Sequence, residues 1–575
     1  MSRVDVPHHA PAPASPVLPL DGLWLAEPGA DPSKLAFARL RALLRLERGD
    51  VGVILVYAIA IGAMTLATPI AVQALVNTVA LGALVQPLVV LTLLLLAGLT
   101  AAAALEILAA NVAELLQQRL FVRAVADLSR RLPRVDLAAY DRAYGPELVN
   151  RFFGVFTAQK AGATLLTDGI ATALQAAVGM TLLAFYHPLL LALDLVLIAV
   201  LAGVIFAPLR DAVRTSLEES HAKYETAAWL EEIARAPAVF KSKSGAITAA
   251  ERAEHLAHHY LDARRAHWRR VVGQLAGGLG LQVLAQVALL GVGGLLVIER
   301  QLTLGQLVAA ELVVAAVSKS FAKLGKHLEA FYDLAAATQK LGVLVDLPLE
   351  PAGESVPRVD GPARVRLRGV RYDGSDARPG LAELDRTISP GEHLLIDARG
   401  GADPSAFLEL CAGLRRPHRG AVEIDDVDLR LCDLPSLREQ VMIVRSSSII
   451  DGTIFDNLAL GSSEAPLDAM LSALDVVGLA DVVASLPAGM RTHLLPNGAP
   501  LTRAQSRRLA LARALLARPR LLLLDGALDG LDLDPATRAR LLDHLFGAGA
   551  PWTLLVISED PVVRARCDRA LLLES

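Results

Sequence analysis

The chain has 575 residues, a formal net charge of −4 and 53% hydrophobic residues, with a mean hydropathy of +0.44. That is too apolar for an ordinary soluble enzyme, and the small charge argues against nucleic acid as a main partner. Its three cysteines, Cys411, Cys432 and Cys567, follow neither a metal-ligand spacing nor a disulfide framework, so no metal site is expected and the C-terminal third reads as cytosolic.

Residues 1–33 are rich in Pro and Ala (HHAPAPASPVLP) and lack apolar periodicity. They read as a disordered tail without a signal peptide, in which His8 and His9 carry no assigned role. Residues 34–345 follow as an all-α membrane domain. Six apolar segments, near 51–77, 87–112, 162–186, 188–209, 271–298 and 303–320, approach or exceed the roughly 20 residues a bilayer span requires. The last is the weakest, because Glu311 lies inside it and Lys319 near its end. Basic residues crowd the stretches before 51, between 119 and 160 and between 208 and 270, whereas the loop at 78–86 and the turn Tyr186-His187-Pro188 hold no Lys or Arg. Basic loops stay on the cytoplasmic side, so both termini are expected there, in a multi-pass protein of the cytoplasmic (inner) membrane in contact with lipid. The long basic loops, about 40 and 60 residues, are expected to continue the spans as helices, with turning points near Tyr140–Phe153 and Tyr224–Ala236 docking on another domain. Glu106, Asp168, Asp194 and Glu311, with Gln175, Gln282 and Gln286, are polar within spans. They mark either a translocation path or sites near the interface and between helices.

After a linker at 346–362, residues 363–575 alternate strand-like runs (ARVRLRGVRY, RALLLE) with capped helical runs, the pattern of an α/β domain. Landmarks fall in a fixed order: Gly369-Val370-Arg371-Tyr372, Ser389-Pro390-Gly391-Glu392, Asp451-Gly452-Thr453-Ile454, Leu501-Thr502-Arg503-Ala504-Gln505, and the run LALARALLARPRLLLLD ending at Asp525. With the six spans, these motifs resemble an ABC exporter half-transporter, a six-helix transmembrane domain fused to an α/β P-loop-like ABC nucleotide-binding domain, over about residues 35–575.

The resemblance implies a fold, a membrane topology and dimerisation, and it implies roles by position. Tyr372 would stack on adenine, Asp525 would be the carboxylate that holds Mg²⁺, and Leu501–Gln505 would be the signature that meets a partner's nucleotide, with Thr502 and Gln505 compatible. The phosphate chemistry departs from the pattern. A P-loop reads G-x-x-x-x-G-K-[ST], and here Ala398, Asp403 and Pro404 stand for the glycines and the lysine, so that only Ser405 remains. Gly526 stands where the catalytic glutamate is expected, Arg445 at the glutamine loop, Glu559 at the switch histidine, and Arg503 and Ala504 at the signature glycines. No catalytic residue is assigned; the nucleotide-binding candidates are Tyr372, Ser405, Asp525, Thr502 and Gln505. Arg399, Arg445 and Arg503 either rebuild an anion site or are simply solvated. Two readings follow. The chain is a silent subunit of a heterodimeric exporter, with ATP and Mg²⁺ bound only weakly or supplied by the partner. Alternatively it is an ATP-independent pseudo-ATPase that acts as a homodimeric scaffold, regulator or conduit. The cargo is unreadable.

Overall fold

The computed structural model describes residues 32–81, 85–141, 145–374, 378–445, 449–462 and 464–574. The proposed tail therefore lies outside them up to residue 31. The chain divides into two units, one of residues 1–133 with 144–347, the other of residues 134–143 with 348–575.

The first unit is helical. Five helical stretches, Arg48–Asn77, Leu88–Arg134, Glu147–Tyr186, Pro188–Arg235 and Lys243–Ile298, are long and apolar enough to cross a membrane. The sixth expected span corresponds to the shorter apolar stretch Leu304–Val317, within the helix Leu304–Val345. Length shows where these helices go. The helix Val85–Arg131 has 47 residues and Lys243–Ile298 has 56. At about 1.5 Å per residue they reach roughly 70 and 84 Å, more than twice the ~30 Å apolar core of a bilayer. Their polar ends must therefore extend into water, as the basic loops require.

The tight turn between two spans has a local cause. Pro188 opens a helix at its first turn, and His187 Nδ1 accepts a hydrogen bond from Leu189 N at 3.1 Å, which caps it. Leu304–Val345 starts with a capping box between Thr303 and Gln306. The interior packs apolar faces, with Leu190, Leu197, Leu281, Leu289 and Val313 in one cluster. Large side chains such as Leu94, Phe185, Val287 and Leu290 remain exposed, as expected of helices whose solvent is lipid. The span 154–186 contains one π-helical turn, Leu165–Gly169, and there Asp168 pairs with Lys326 at 3.0 Å. The stretch Tyr224–Ala236 forms no separate helix but closes the helix Leu209–Arg235.

The second unit is α/β. Strands β1 (Val365–Tyr372), β2 (Leu381–Ile388), β4 (Arg419–Ile424) and β5 (Val427–Asp428) form an antiparallel sheet in the order β2-β1-β4-β5, once β3 (His393–Ala398) is set aside. With β6 (Val441–Val444), β9 (Leu521–Asp525), β10 (Thr553–Ile557) and β11 (Arg569–Leu573), β3 builds a parallel sheet in the order β11-β3-β10-β9-β6. A small hairpin-like pair joins β7 (Gly452–Thr453) to β8 (His493–Leu494). β9 reads LLLLD, with four leucines buried, the continuous apolar run expected of a strand covered on both faces. Parallel sheets place ligand sites at the carboxyl ends of their strands. Here those ends carry Ala398, Arg445, Asp525 and Ser558. Segment 134–143 joins this unit through backbone bonds between Asp136 N and Pro348 O and between Glu350 N and Arg134 O, both 2.8 Å. It holds a 3₁₀ turn at Leu137–Asp141.

Candidate functional site

After β3 the chain passes Gly400 and Gly401, both at positive φ (+65° and +88°), conformations that glycine adopts without strain. It then enters the helix Pro404–Cys411, where the sequence comparison expects a phosphate loop. Its first residues serve the helix. Asp403 is the N-cap, its Oδ1 accepting from Ser405 N at 3.0 Å and Ala406 N at 3.3 Å, and Pro404 takes the first helical position. The backbone N–H groups that a phosphate would take at such a helix end are thus engaged by a carboxylate of the same chain.

Asp525, at the end of β9, is engaged on both oxygens. Ser405 Oγ donates to Oδ1 at 3.0 Å, and Arg445 Nε donates to Oδ2 at 3.1 Å. Strand register brings this about, because β6 and β9 run parallel with Val444 beside Leu524, so the next residues, Arg445 and Asp525, emerge together. The other arm of Arg445 reaches Glu409 Oε1. Glu409 is fully buried inside the helix Pro404–Cys411 and is a hub: Arg378 Nη1 lies 3.1 and 2.9 Å from its two oxygens, and Arg415 Nε donates to Oε2. Arg415 in turn grips Asp141 with two bonds of 2.6 and 2.7 Å. The hydrogen bond from Arg415 holds the Asp141 carboxyl below the ordinary range for aspartate, and the same bond, with that to Glu409, raises the Arg415 guanidinium above its ordinary value. Buried charges need such partners, and every member of the chain Asp141–Arg415–Glu409–Arg445–Asp525 has them.

The remaining sequence candidates fall as follows. Tyr372 is only 5% exposed; its hydroxyl accepts from Arg415 Nη1 at 3.1 Å and its ring packs near His418. Little of the ring is open to a base, so the stacking face expected from sequence is not presented in this conformation. Thr502 and Gln505 form a capping box on the helix Arg503–Leu516, Thr502 Oγ1 accepting from Gln505 N at 3.2 Å and Gln505 Oε1 from Thr502 N at 2.8 Å. Ser405 and Asp525 meet each other. Of the three arginines weighed as an anion site, Arg445 is committed to carboxylates, whereas Arg399 and Arg503 are exposed. Gly526 has φ +62°, and Glu559 is exposed, its N–H 3.4 Å from Asp529 Oδ2. Among the described residues no group of acidic, His or Cys side chains is arranged to hold a metal ion.

Comparison with known proteins agrees with this plan. Residues 381–529 match the family model described as ABC transporter. A solved bacterial Atm1-family ABC exporter with ATP bound superposes with a TM-score of 0.79 over 92% of this chain and 94% of its own, at 21% identity, a likeness of fold. The chain has the fold of an ABC exporter, helical membrane-type unit and α/β nucleotide-binding-type unit together. The mycobactin import ATP-binding/permease protein IrtB of Mycolicibacterium thermoresistibile is 28% identical over 79% of this chain and 78% of its own length. The cyclolysin secretion/processing ATP-binding protein CyaB of Bordetella pertussis is 29% identical over 46% of this chain, but the match spans only 40% of CyaB.

Sequence reasoning missed Glu409, Arg378, Arg415 and Asp141. One signal was available: Glu409 is the lone charge in the apolar run SAFLELC, and a lone charge on an otherwise buried helix has to find partners. In the helical unit, the polar span residues separate. Asp194 is buried, and its Oδ2, like Gln282 Oε1, has no hydrogen-bond partner among the described residues. Glu106 and Glu311 are exposed, and Asp168 is paired.

Proposed function

We propose that this half-transporter is the catalytically silent half of a dimeric exporter in the cytoplasmic membrane, with both termini on the cytoplasmic side, and that it takes its drive from a competent partner chain. The observation that carries this reading is the engagement of both oxygens of Asp525 by its own chain, through Ser405 and Arg445. In P-loop ATPases the loop lysine reaches the β- and γ-phosphates, while the Ser/Thr and the strand aspartate hold Mg²⁺. Here Pro404 offers neither charge nor N–H, Asp403 occupies the helix N-terminus, and Gly526 leaves no carboxylate to orient water. Mg-ATP does not fit these residues as they stand. A partner chain would bring its own P-loop against Leu501–Gln505, where Arg503 and Ala504 replace glycines, so turnover there would be slow.

The test is purification of the full chain in lipid nanodiscs, alone and co-expressed with an intact half-transporter. Alone, the chain is expected to show neither saturable Mg-ATP binding nor hydrolysis above background. Co-expressed, it is expected to co-purify with the intact chain, and all turnover is expected to vanish when the partner's P-loop lysine is replaced. Hydrolysis by the lone chain at rates typical of intact pairs would refute the reading. Recovery of the chain only with itself and without nucleotide would instead favour an ATP-independent homodimeric conduit.

A further inference from the structure

We propose that Arg445 is the resident cation of this site, holding Asp525 and Glu409 in place of a divalent metal ion. The inference deepens the silent-subunit reading and rests on it only in taking this cleft as the nucleotide site.

Three observations converge. The parallel register of β6 and β9 ends with Val444 beside Leu524, so Arg445 and Asp525 leave the sheet side by side. Its guanidinium spans two carboxylates, with Nε on Asp525 Oδ2 at 3.1 Å and Nη2 on Glu409 Oε1. The network also needs its cations, since four carboxylates, Asp141, Asp403, Glu409 and Asp525, face three guanidiniums, Arg378, Arg415 and Arg445. A guanidinium suits the role, because it stays charged under all ordinary conditions and its planar fork serves two acceptors at once. A Mg²⁺ ion entering the same place would meet a fixed positive charge and an aspartate whose two oxygens each already accept a hydrogen bond, and it demands near-octahedral oxygen ligation. The site therefore keeps one charge state and one shape without regard to metal or nucleotide concentration. Removing the guanidinium while keeping a polar side chain, as in Arg445→Gln, would leave Asp525 Oδ2 without its cation, beside Ser405, while Glu409 keeps Arg378 and Arg415.

The experiment titrates the full chain in nanodiscs with Mn²⁺, without nucleotide, and follows loss of the free-ion signal by electron paramagnetic resonance. The wild-type chain is expected to show no Mn²⁺ site that Asp525→Asn removes. Arg445→Gln is expected to gain one such site, and the double variant Arg445→Gln/Asp525→Asn to lose it. Arg445→Lys, which keeps the charge, is expected to behave as wild type, which separates loss of the cation from general damage. Thermal unfolding of each variant reports whether it is folded. Binding of Mn²⁺ to the wild type in an Asp525-dependent manner would refute the proposal, as would a folded Arg445→Gln that gains no site. Because no nucleotide is present, these outcomes are independent of ATP turnover, which tests the silent-subunit reading separately.

Discussion

Gly526 occupies the position after Asp525 at φ +62°, and a Cβ placed there would meet its nearest neighbour, Asp529, only at 3.9 Å. Space is not the obstacle to a side chain; the backbone is, since a left-handed conformation costs a non-glycine residue about 1–2 kcal/mol. Gly526→Glu, which restores a carboxylate at this position, is therefore expected to lower the unfolding midpoint without conferring ATP hydrolysis. Thermal unfolding and a phosphate-release assay on the purified chain read both. A gain of turnover would show that a carboxylate was all the site lacked. At this scale the positions that motif order names fall at Arg445, just past β6, at Asp525 and Gly526, at the end of β9, at Ser405, in the first turn of the helix Pro404–Cys411, and at Glu559, just past β10. It did not show that Arg445 is bound to carboxylates. Its partner Glu409 lies 36 residues away in the chain, and only the fold brings the two together.

The helix Pro404–Cys411 shows at the scale of one element how a phosphate loop becomes a plain helix start. Asp at the N-cap followed by Pro at the first position is among the best openings a helix has, and both residues stand where a glycine and a lysine would serve phosphate. Asp403→Ala removes the two hydrogen bonds to Ser405 N and Ala406 N, at a cost of about 1 kcal/mol. Amides of residues 405–408 are expected to exchange hydrogen about fivefold faster as a result, measured by mass spectrometry on the intact chain. Unchanged exchange would mean that packing of Phe407, Leu408 and Leu410 alone holds the helix. The long helices were legible for a simpler reason: an apolar run of span length flanked by arginines has few alternatives in a bilayer. The exception is the stretch Leu304–Val317, where apolar character fades before the helix itself ends at Val345.

Across the C-terminal unit, Arg415 ties the distant segment 134–143 to the sheet core. Its side chain is 2% exposed and pairs with Asp141 and Glu409. Breaking a buried pair from one side costs about 3–5 kcal/mol, so Arg415→Ala is expected to destabilise this unit strongly and to open segment 134–143 to protease. Asp141→Asn leaves Glu409 paired and is expected to do less. Because Arg415 holds the Asp141 carboxyl below its ordinary value, the pair stabilises the fold at pH above the usual carboxylate range, about 4. That contribution fades as pH falls through the depressed value. Protease protection of residues 134–141 in the wild type is expected to decline on acidification below pH ~4, and in Asp141→Asn to lose that dependence. A wild type whose protection is flat across this range would show that the backbone bonds at Asp136 and Glu350 suffice. Composition, apolar run length and motif order by themselves determined the two-part plan, the membrane-type helices and the places of the altered phosphate residues, because those properties are written locally along the chain. Which charges meet was decided only by the tertiary structure. Strand register and helix packing set the neighbours of a buried carboxylate, and neither Asp141–Arg415 nor Glu409–Arg445 is near in sequence.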